Sequence, residues 1–114
     1  CYIRPQRYTK EFVDANDTFT LSFYGPECKN ALNLCGTVSG RDSDKISEAG
    51  LTPYFTEGTA AFEEANLIFV CRKIYQDDMP YENFIAKEND AKYYPNKDYH
   101  TMYIAEIVKI LVAE

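Results

Sequence analysis

The sequence predicts a mainly β protein, either a β-barrel or an α+β sheet, with short helices inserted between a few long antiparallel strands. Three stretches carry this prediction: residues 18–24 and 100–112 alternate between polar and apolar side chains, and residues 67–71 form a continuous apolar run. All three are rich in β-branched or aromatic residues, which favour strands. At 114 residues the chain is long enough for one domain with a core and too short for two, so we expect a single domain over 1–114.

Composition and charge argue against several classes of protein. Hydrophobic residues make up 46% of the chain, which is too high for a disordered protein. The 18 acidic residues outnumber the 12 basic ones and give a net charge of −6, which argues against nucleic-acid binding. No apolar run approaches the roughly 20 residues of a membrane span, and no signal-peptide pattern is recognised, so we expect a cytoplasmic protein without a membrane partner.

The four cysteines are expected to be reduced thiols. Cys1, Cys28, Cys35 and Cys71 follow no CxxC spacing, and the single histidine lies far from all of them in the sequence. This arrangement is not typical of zinc sites, so we predict no metal. Cys71 lies inside the apolar run, where a cysteine usually acts as a small buried hydrophobe.

The first elements of the chain are short. Residues 1–4 are predicted to be the end of a strand that a proline breaks. A helix then begins at an N-cap at Thr9 and runs to Asp14, with Phe12 and Val13 turned towards the core.

A second helix follows the strand at 18–24. Pro26 suits the first turn of a helix, and Gly36 suits the position just after its last turn. One face of this helix carries four apolar or thiol side chains: Cys28, Ala31, Leu32 and Cys35.

The middle of the chain combines a loop, a short helix and strands. Residues 36–44 are small and polar and predict a loop, after which Ser43 or Asp44 caps a short helix over 45–49. Three extended segments follow, at 51–55, 59–62 and about 65–75. The third is predicted to be the central strand, covered on both faces in its middle.

The last third of the chain ends in a long strand. Residues 76–99 form a polar and aromatic stretch of 24 residues, which is too long for a passive connection, so we expect a helical turn or a site-lining segment there. Residues 100–112 are predicted to be the closing strand because of their β-branched content. A helix is the alternative, because Ile104, Ile107 and Leu111 also fit a period of 3.6.

The stretch from Tyr2 to Thr9 is a candidate binding site. It places two guanidiniums, an amide, a phenol and a hydroxyl around one proline. Arginine forms bidentate charge-assisted bonds with phosphate, and the backbone N–H groups at a helix start also favour an anion. The sequence therefore suggests a phosphate site, and the alternative is a solvated turn whose arginines make surface ion pairs.

Six runs of the sequence resemble a known family. They are IRPQRYT, DTFTLSFY, ALNLCGTVSGRDSDK, GLTP, FEEANLIFVCRKIY and AKYYPNKDYHTMYIAEIVKIL. In order and spacing they look like the flavin reductase-like, flavoredoxin-type FMN-binding split-barrel proteins, and together they cover nearly the whole chain. The resemblance implies a Greek-key antiparallel barrel that forms a homodimer, with FMN near the dimer interface.

The resemblance also implies which residues hold the cofactor. The phosphate and ribityl candidates are Arg4, Gln6, Arg7, Tyr8 and Thr9. The candidates in the cofactor-proximal loop are Cys35, Gly36, Ser39, Gly40 and Arg41, with the pair Asp44 and Lys45, for which a local helix cap and ion pair is the alternative. His100 matches a histidine of the family and is the candidate catalytic residue; its alternative role is a bond to a loop carbonyl at a strand end.

The implied function is that of a flavoprotein that transfers electrons or hydride through bound FMN, with NAD(P)H or a redox protein as partner. The chain lacks a GxGxxG motif, so no separate dinucleotide-binding fold is expected. Family members usually begin with further strands, and Cys1 falls where one of those strands should end. Two alternatives are therefore a non-catalytic, truncated split-barrel domain that dimerises without tight FMN binding, and an inactive piece of a longer protein.

Overall fold

Two antiparallel sheets form the scaffold of the protein, whose computed structural model describes residues 1–113. The larger sheet has the strand order β1-β6-β5-β2 and consists of Tyr2–Ile3 (β1), Thr18–Phe23 (β2), Leu67–Asp78 (β5) and Thr101–Val112 (β6). The smaller sheet is a hairpin of Pro53–Thr56 (β3) and Thr59–Phe62 (β4). The prediction of a mainly antiparallel β protein with short helices is confirmed.

The long pair β5 and β6 forms the centre of the larger sheet. Each strand has 12 residues, and they pair from Leu67 opposite Val112 to Asp78 opposite Thr101. The segment after residue 100 is therefore a strand, as predicted, and the helical alternative is wrong. β5 supplies the hydrogen-bond partners that the isolated sequence of β6 does not reveal.

Four short helices connect the strands: Tyr8–Ala15 (α1), Lys29–Thr37 (α2), Lys45–Glu48 (α3) and Glu88–Tyr93 (α4). Two 3-10 turns lie at Pro26–Cys28 and Tyr81–Asn83. The second turn and α4 supply the helical structure that was predicted within 76–99. None of the helices between residues 1 and 113 is long and apolar enough to cross a membrane.

Helix α1 differs from its prediction at two points. It begins at Tyr8 with Arg7 in the N-cap position, because Lys10 N–H donates to the carbonyl of Arg7 at 3.1 Å and closes the first turn. The predicted N-cap, Thr9, is therefore wrong. Val13 is buried as predicted, but Phe12 is 54% exposed, since neighbouring helix positions point about 100° apart.

Helix α2 runs past its predicted end. Gly36 was expected to stop it, but the helix continues to Thr37 and its last turn closes where Val38 N–H donates to the Leu34 carbonyl at 3.2 Å. Its expected apolar face is only partly covered, since Leu32 is exposed and no residue of α2 is fully buried.

The core consists of two clusters on opposite faces of the larger sheet. One cluster contains Val13, Phe19, Cys71 and Tyr103, and the other contains Ala61, Ala65, Ile68 and Val70. Successive residues of a strand point to opposite faces, so β5 contributes Cys71 to the first cluster and Ile68 and Val70 to the second. The prediction that the middle of this strand is covered on both faces is confirmed.

Candidate functional site

A cavity of about 460 Å³, here called the first cavity, lies where the turn before α1 meets the C-terminal end of α2. Fourteen residues line it: Tyr2, Ile3, Arg4, Gln6, Arg7, Tyr8, Thr9, Cys35, Gly36, Val38, Ser39, Gly40, Lys45 and His100. They come from three segments that are distant in the sequence. All the site residues named from the sequence are among them except Arg41 and Asp44.

The start of α1 forms one wall of the first cavity. Arg7, in the N-cap position, has an extended backbone with φ −74° and ψ 133°, and its side chain makes no capping bond. The N–H groups of Tyr8 and Thr9 lie in the first turn, where no carbonyl of the same helix can accept from them. The positive end of the helix dipole therefore faces this region without a side-chain acceptor.

The two arginines of this turn have different surroundings. Arg4 donates to Asp98 Oδ2 at 2.7 Å and to the carbonyl of Tyr93 at 2.8 Å. Its guanidinium also stacks over the Tyr94 ring, 4.8 Å from the centroid. Within residues 1–113, the Arg7 side chain has neither an ion pair nor a hydrogen bond. The ion pair of the solvated-turn alternative is therefore present at Arg4, whereas the Arg7 side chain is exposed and unpaired within the described residues.

Asp98 holds the turn in place. Its Oδ2 accepts hydrogen bonds from the Gln6 amide and from Arg4, both at 2.7 Å. The bond from Gln6, followed by that from Arg4, lowers the pKa of this carboxyl below its usual range, against the opposing effect of desolvation. Gln6 and Arg4 are thus committed to a carboxylate that does not line the first cavity.

Lys45 fixes the opposite wall. Its Nζ donates to the carbonyls of Cys35 at 2.9 Å and Val38 at 3.3 Å, at the C-terminal end of α2, where a cation is favoured. Asp44 accepts from the Ser47 N–H at 3.3 Å and caps α3, as one sequence alternative proposed. The ion pair of that alternative does not form between Asp44 and Lys45, because each side chain is bonded to backbone groups.

Arg41 lies outside the first cavity and lines an adjoining second cavity of about 700 Å³. Its guanidinium donates to the Gln6 carbonyl at 2.9 Å and to Glu11 Oε1 at 2.8 Å, and it stacks 4.9 Å over the Tyr8 ring. Arg41 therefore ties the loop after α2 to α1. Gly40 also packs closely against the Tyr8 ring, because a Cβ atom at this position would lie 3.0 Å from Tyr8 Cδ2.

His100 lines the first cavity just before β6. Its Nδ1 shares a hydrogen bond of 2.5 Å with the Tyr94 hydroxyl, in place of the loop carbonyl that was considered from the sequence. Desolvation lowers the pKa of His100, and the positive charges of Arg4 and Arg7 lower it further, against the opposing charge of Asp98. The imidazole is therefore kept neutral near pH 7.

Tyr94 is a site residue that sequence reasoning missed. It is buried, packs against Phe84 and Tyr99 with ring centroids 5.8 and 5.1 Å away, and contacts both His100 and Arg4. The available signal was the pair of tyrosines within the aromatic segment 76–99. Nothing local distinguished the buried Tyr94 from Tyr93, which is exposed.

The cysteines add no disulfide to the site. All four are free thiols, and Cys71 is buried as predicted. Cys35 is half-buried and lines both cavities.

Comparison with solved structures identifies the fold. Flavoredoxin from Methanosarcina acetivorans superposes with a TM-score of 0.75 at 19% identity, over 99% of this chain and 51% of that one. The FMN-binding protein from Thermus thermophilus with bound p-hydroxybenzaldehyde gives a TM-score of 0.72 at 18% identity, over 99% of this chain and 53% of that one. Flavoredoxin of Desulfovibrio vulgaris (Miyazaki F) gives 0.73 at 21% identity, over 98% and 51%.

The chain spans about half the length of these structural relatives. The predicted split-barrel fold is confirmed by these matches. Comparison with curated protein sequences finds no match. The family model of the flavin reductase like domain matches residues 1–114. The chain therefore belongs to the flavin reductase like domain family.

Proposed function

We propose that this chain is an FMN-binding flavoprotein of the flavin reductase or flavoredoxin type, which transfers electrons or hydride through the bound cofactor. The observation that carries the proposal is the charge of the first cavity. Arg4, Arg7 and Lys45 line it, and because Asp98 neutralises Arg4, the local excess consists of Arg7 and Lys45, in a protein with a net charge of −6. Such a local excess of cations favours an anionic ligand.

The donor set of the first cavity fits the phosphate of FMN. Arg7 is the cation without a partner, and the N–H groups of Tyr8 and Thr9 at the start of α1 are suited to phosphate oxygens. The Thr9 hydroxyl adds a donor on the same turn. The volume of about 460 Å³ lies within the range of roughly 300–1,000 Å³ that is typical of small-molecule sites.

The loop after α2 would hold the rest of the cofactor. Cys35, Gly36 and Ser39 line the cavity opposite Arg7, and Lys45 fixes their backbone. We propose that this loop contacts the ribityl chain and that Arg41 keeps the loop against α1.

Bound FMN would supply the hydride or single-electron chemistry. The chain's own residues would bind the phosphate, orient the cofactor and exclude water from it. A neutral His100, held by Tyr94, would offer one ring nitrogen to the cavity for hydrogen bonding or proton transfer. The electron donor in this proposal is NAD(P)H or a redox protein.

The structural relatives support FMN as the ligand, because one is an FMN-binding protein and two are flavoredoxins. We extend the proposal to a single domain over 1–114 that acts as a homodimer in the cytoplasm. The homodimer is supported by a row of exposed apolar residues on the larger sheet: Leu21, Phe23, Ile110 and Val112. Such a patch favours association with another surface.

The same patch supports a second candidate, a non-catalytic split-barrel domain that dimerises without binding FMN tightly. In that case the cations of the first cavity would not be used by a flavin. The two candidates differ in their affinity for FMN, so one titration separates them.

The test is a titration of the purified chain with FMN, followed by flavin fluorescence. We expect saturable binding that Arg7→Ala weakens about tenfold to a hundredfold. This loss of affinity corresponds to the free energy of one hydrogen bond to a charged group. Arg72→Ala is the matched control, since Arg72 is exposed on β5 and, among residues 1–113, its side chain pairs with Glu106 alone. A folded protein that does not bind FMN, or that loses equal affinity in both variants, would exclude the proposed phosphate site.

A further inference from the structure

A third cavity, of about 220 Å³, lies at the end of β5 and shares no lining residue with the first or second cavity. Its lining includes Asp77 and Asp78 at the end of β5, Met79 and Phe84 in the segment that follows, and Met102 on β6. The proposed flavin site uses none of these residues, so the cavity is available for a different ligand.

The charged groups that line the third cavity are both acids. Asp77 and Asp78 make no ion pair with any of residues 1–113. The buried Thr101 hydroxyl donates to Asp78 Oδ1 at 2.8 Å, and the Tyr75 hydroxyl donates to Asp77 Oδ2 at 3.3 Å. The negative charge of Asp77, followed by its hydrogen bond, raises the pKa of Tyr75 above its usual value. Two neutral hydroxyls therefore orient the carboxylates and leave their charge to attract a cation.

Each carboxylate also keeps an oxygen for a ligand. Asp77 Oδ1 and Asp78 Oδ2 accept no hydrogen bond from residues 1–113. An ammonium group has three N–H donors and can therefore bond to both oxygens at once. A hard metal ion suits the cavity less well, because Ca²⁺ and Mg²⁺ need six or more oxygen ligands.

The opposite wall of the third cavity is apolar. The half-buried side chains of Met79, Met102 and Phe84 form it. The Phe84 ring is held by Tyr94 and Tyr99, each with its centroid 5.8 Å away. An aromatic ring attracts a cation, and flexible thioethers pack against apolar chains of varied shape. The wall therefore favours a cation that carries an apolar chain.

The volume of the third cavity limits the length of that chain. About 220 Å³ is less than the roughly 300–1,000 Å³ that is typical of sites for drug-sized molecules. A nucleotide or a flavin is too large, whereas an amine with a few carbon atoms fits.

We propose that the third cavity binds a small alkylammonium ion. Its ammonium group donates to Asp77 and Asp78, and its apolar chain packs against Met79, Met102 and Phe84. Because no residue lines both the first and the third cavity, this binding does not depend on the proposed function.

The test uses n-butylammonium as the probe. It is titrated into the ¹⁵N-labelled full chain at constant ionic strength, with and without FMN, and binding is read from amide chemical shifts. We expect saturable shifts among residues 77–84 and at Met102, with equal affinity in the presence and absence of FMN. Butanol, which has the same chain without the charge, and butyrate, which has the opposite charge, should bind several-fold more weakly.

Two variants locate the probe. Asp78→Asn removes the charge and keeps an oxygen that can accept from Thr101, so it should weaken butylammonium binding about twofold to fivefold, as expected for one exposed ion pair. Asp17→Asn is the matched control, because it removes the same charge at a residue that does not line the third cavity. Phe84→Leu should weaken butylammonium binding about twofold to fivefold through the loss of the aromatic ring.

Each outcome decides the inference. Loss of butylammonium affinity in Asp78→Asn but not in Asp17→Asn, with butanol binding unchanged, supports it, and Asp77→Asn replaces Asp78→Asn if that variant does not fold. The absence of saturable binding, equal loss in both aspartate variants, or equal affinity for butanol overturns it. Shifts confined to the linings of the first two cavities also overturn it. Failure of FMN to bind contradicts only the proposed function.

Discussion

The first and second cavities share Tyr8, Thr9, Cys35, Gly40 and Lys45, yet the charges of their linings differ. The first is lined by cations without a carboxylate, and the second has balanced charges and an apolar wall. The difference arises from the residues that are not shared. This difference shows that the net charge of a protein, here −6, does not predict the charge of the residues that line one of its cavities.

The excess of cations in the first cavity depends on how one carboxylate is placed. Asp98 binds Arg4 and Gln6 behind the turn and does not line the cavity. Arg7 and Lys45 are therefore opposed by no acid within the lining. In the second cavity, Asp42 and Asp44 lie next to Arg41 in the same loop, so neighbouring acids offset its positive charge.

Gly40→Ala should produce the largest effect on this comparison, because it acts on the shared wall. The new Cβ would lie 3.0 Å from Tyr8 Cδ2, which is too close for an ordinary contact. The Tyr8 ring is also held by Phe12 and Arg41, so it has little room to retreat. We expect the affinity for FMN to fall by roughly tenfold, because the Tyr8 ring must move by a few tenths of an ångström in a packed contact.

Gly36→Ala, in contrast, acts on the first cavity alone, since Gly36 does not line the second. An added Cβ at Gly36 meets no atom of residues 1–113 within 4 Å, and the residue lies inside α2, where alanine should stabilise the helix by about 0.5–1 kcal/mol. The free energy of unfolding should therefore rise in Gly36→Ala and fall in Gly40→Ala. If the affinity for FMN falls equally in both variants, the contact between Gly40 and Tyr8 is not the cause of the loss.

A change of pH should have a smaller effect than Gly40→Ala. It should act on the first cavity and not on the second, because His100 lines only the first. Its pKa is lowered in the folded protein, so at pH values between its folded pKa and about 6.5 the unfolded chain binds more protons. The contribution of His100 to stability is therefore present above pH 6.5 and is lost as the pH falls through the folded pKa.

Two measurements check this sign. The NMR titration midpoint of His100 should lie below 6.5, and the free energy of unfolding of His100→Gln should depend less on pH in this range than that of the parent chain. The amide chemical shifts of residues that line only the second cavity should stay constant as the pH falls through the titration of His100, since His100 does not line that cavity. A midpoint above 6.5 would contradict the desolvated, cation-flanked environment of His100.

The sequence could predict the strands and the turn from Tyr2 to Thr9 because these depend on local pattern, whereas the other segments of the first cavity were implied only by the family resemblance. The alternation after residue 100 and the apolar run in β5 each identify a strand without knowledge of its partner. Arg4 and Arg7 show the limit, because they are three residues apart and equally polar in the sequence. Only Asp98, which is 94 residues from Arg4, distinguishes a structural arginine from one available to a ligand.

The second cavity could not be predicted for a related reason. Phe12 was expected to face the core, since it lies next to Val13 in an amphipathic helix. The structure buries only Val13, because the cluster of Phe19 and Tyr103 covers one side of α1. An aromatic residue left outside the core becomes a cavity wall only through its tertiary neighbours, such as Phe62 on β4.

Asp42→Asn should give the smallest effect and tests the charge balance of the second cavity. Asp42 is exposed, so removing its charge makes the lining of the second cavity more positive, although Glu11, outside the lining, stays paired with Arg41. Because the two cavities adjoin, the affinity of the first cavity for FMN should rise about twofold, which corresponds to the free energy of a weak exposed ion pair. This gain in affinity should shrink at higher salt concentration. Asp17→Asn, which removes the same charge at a residue that lines neither cavity, is the matched control. An equal gain in both variants would mean that FMN binding responds to the net charge of the whole protein, and the charges of the two linings would then not govern it.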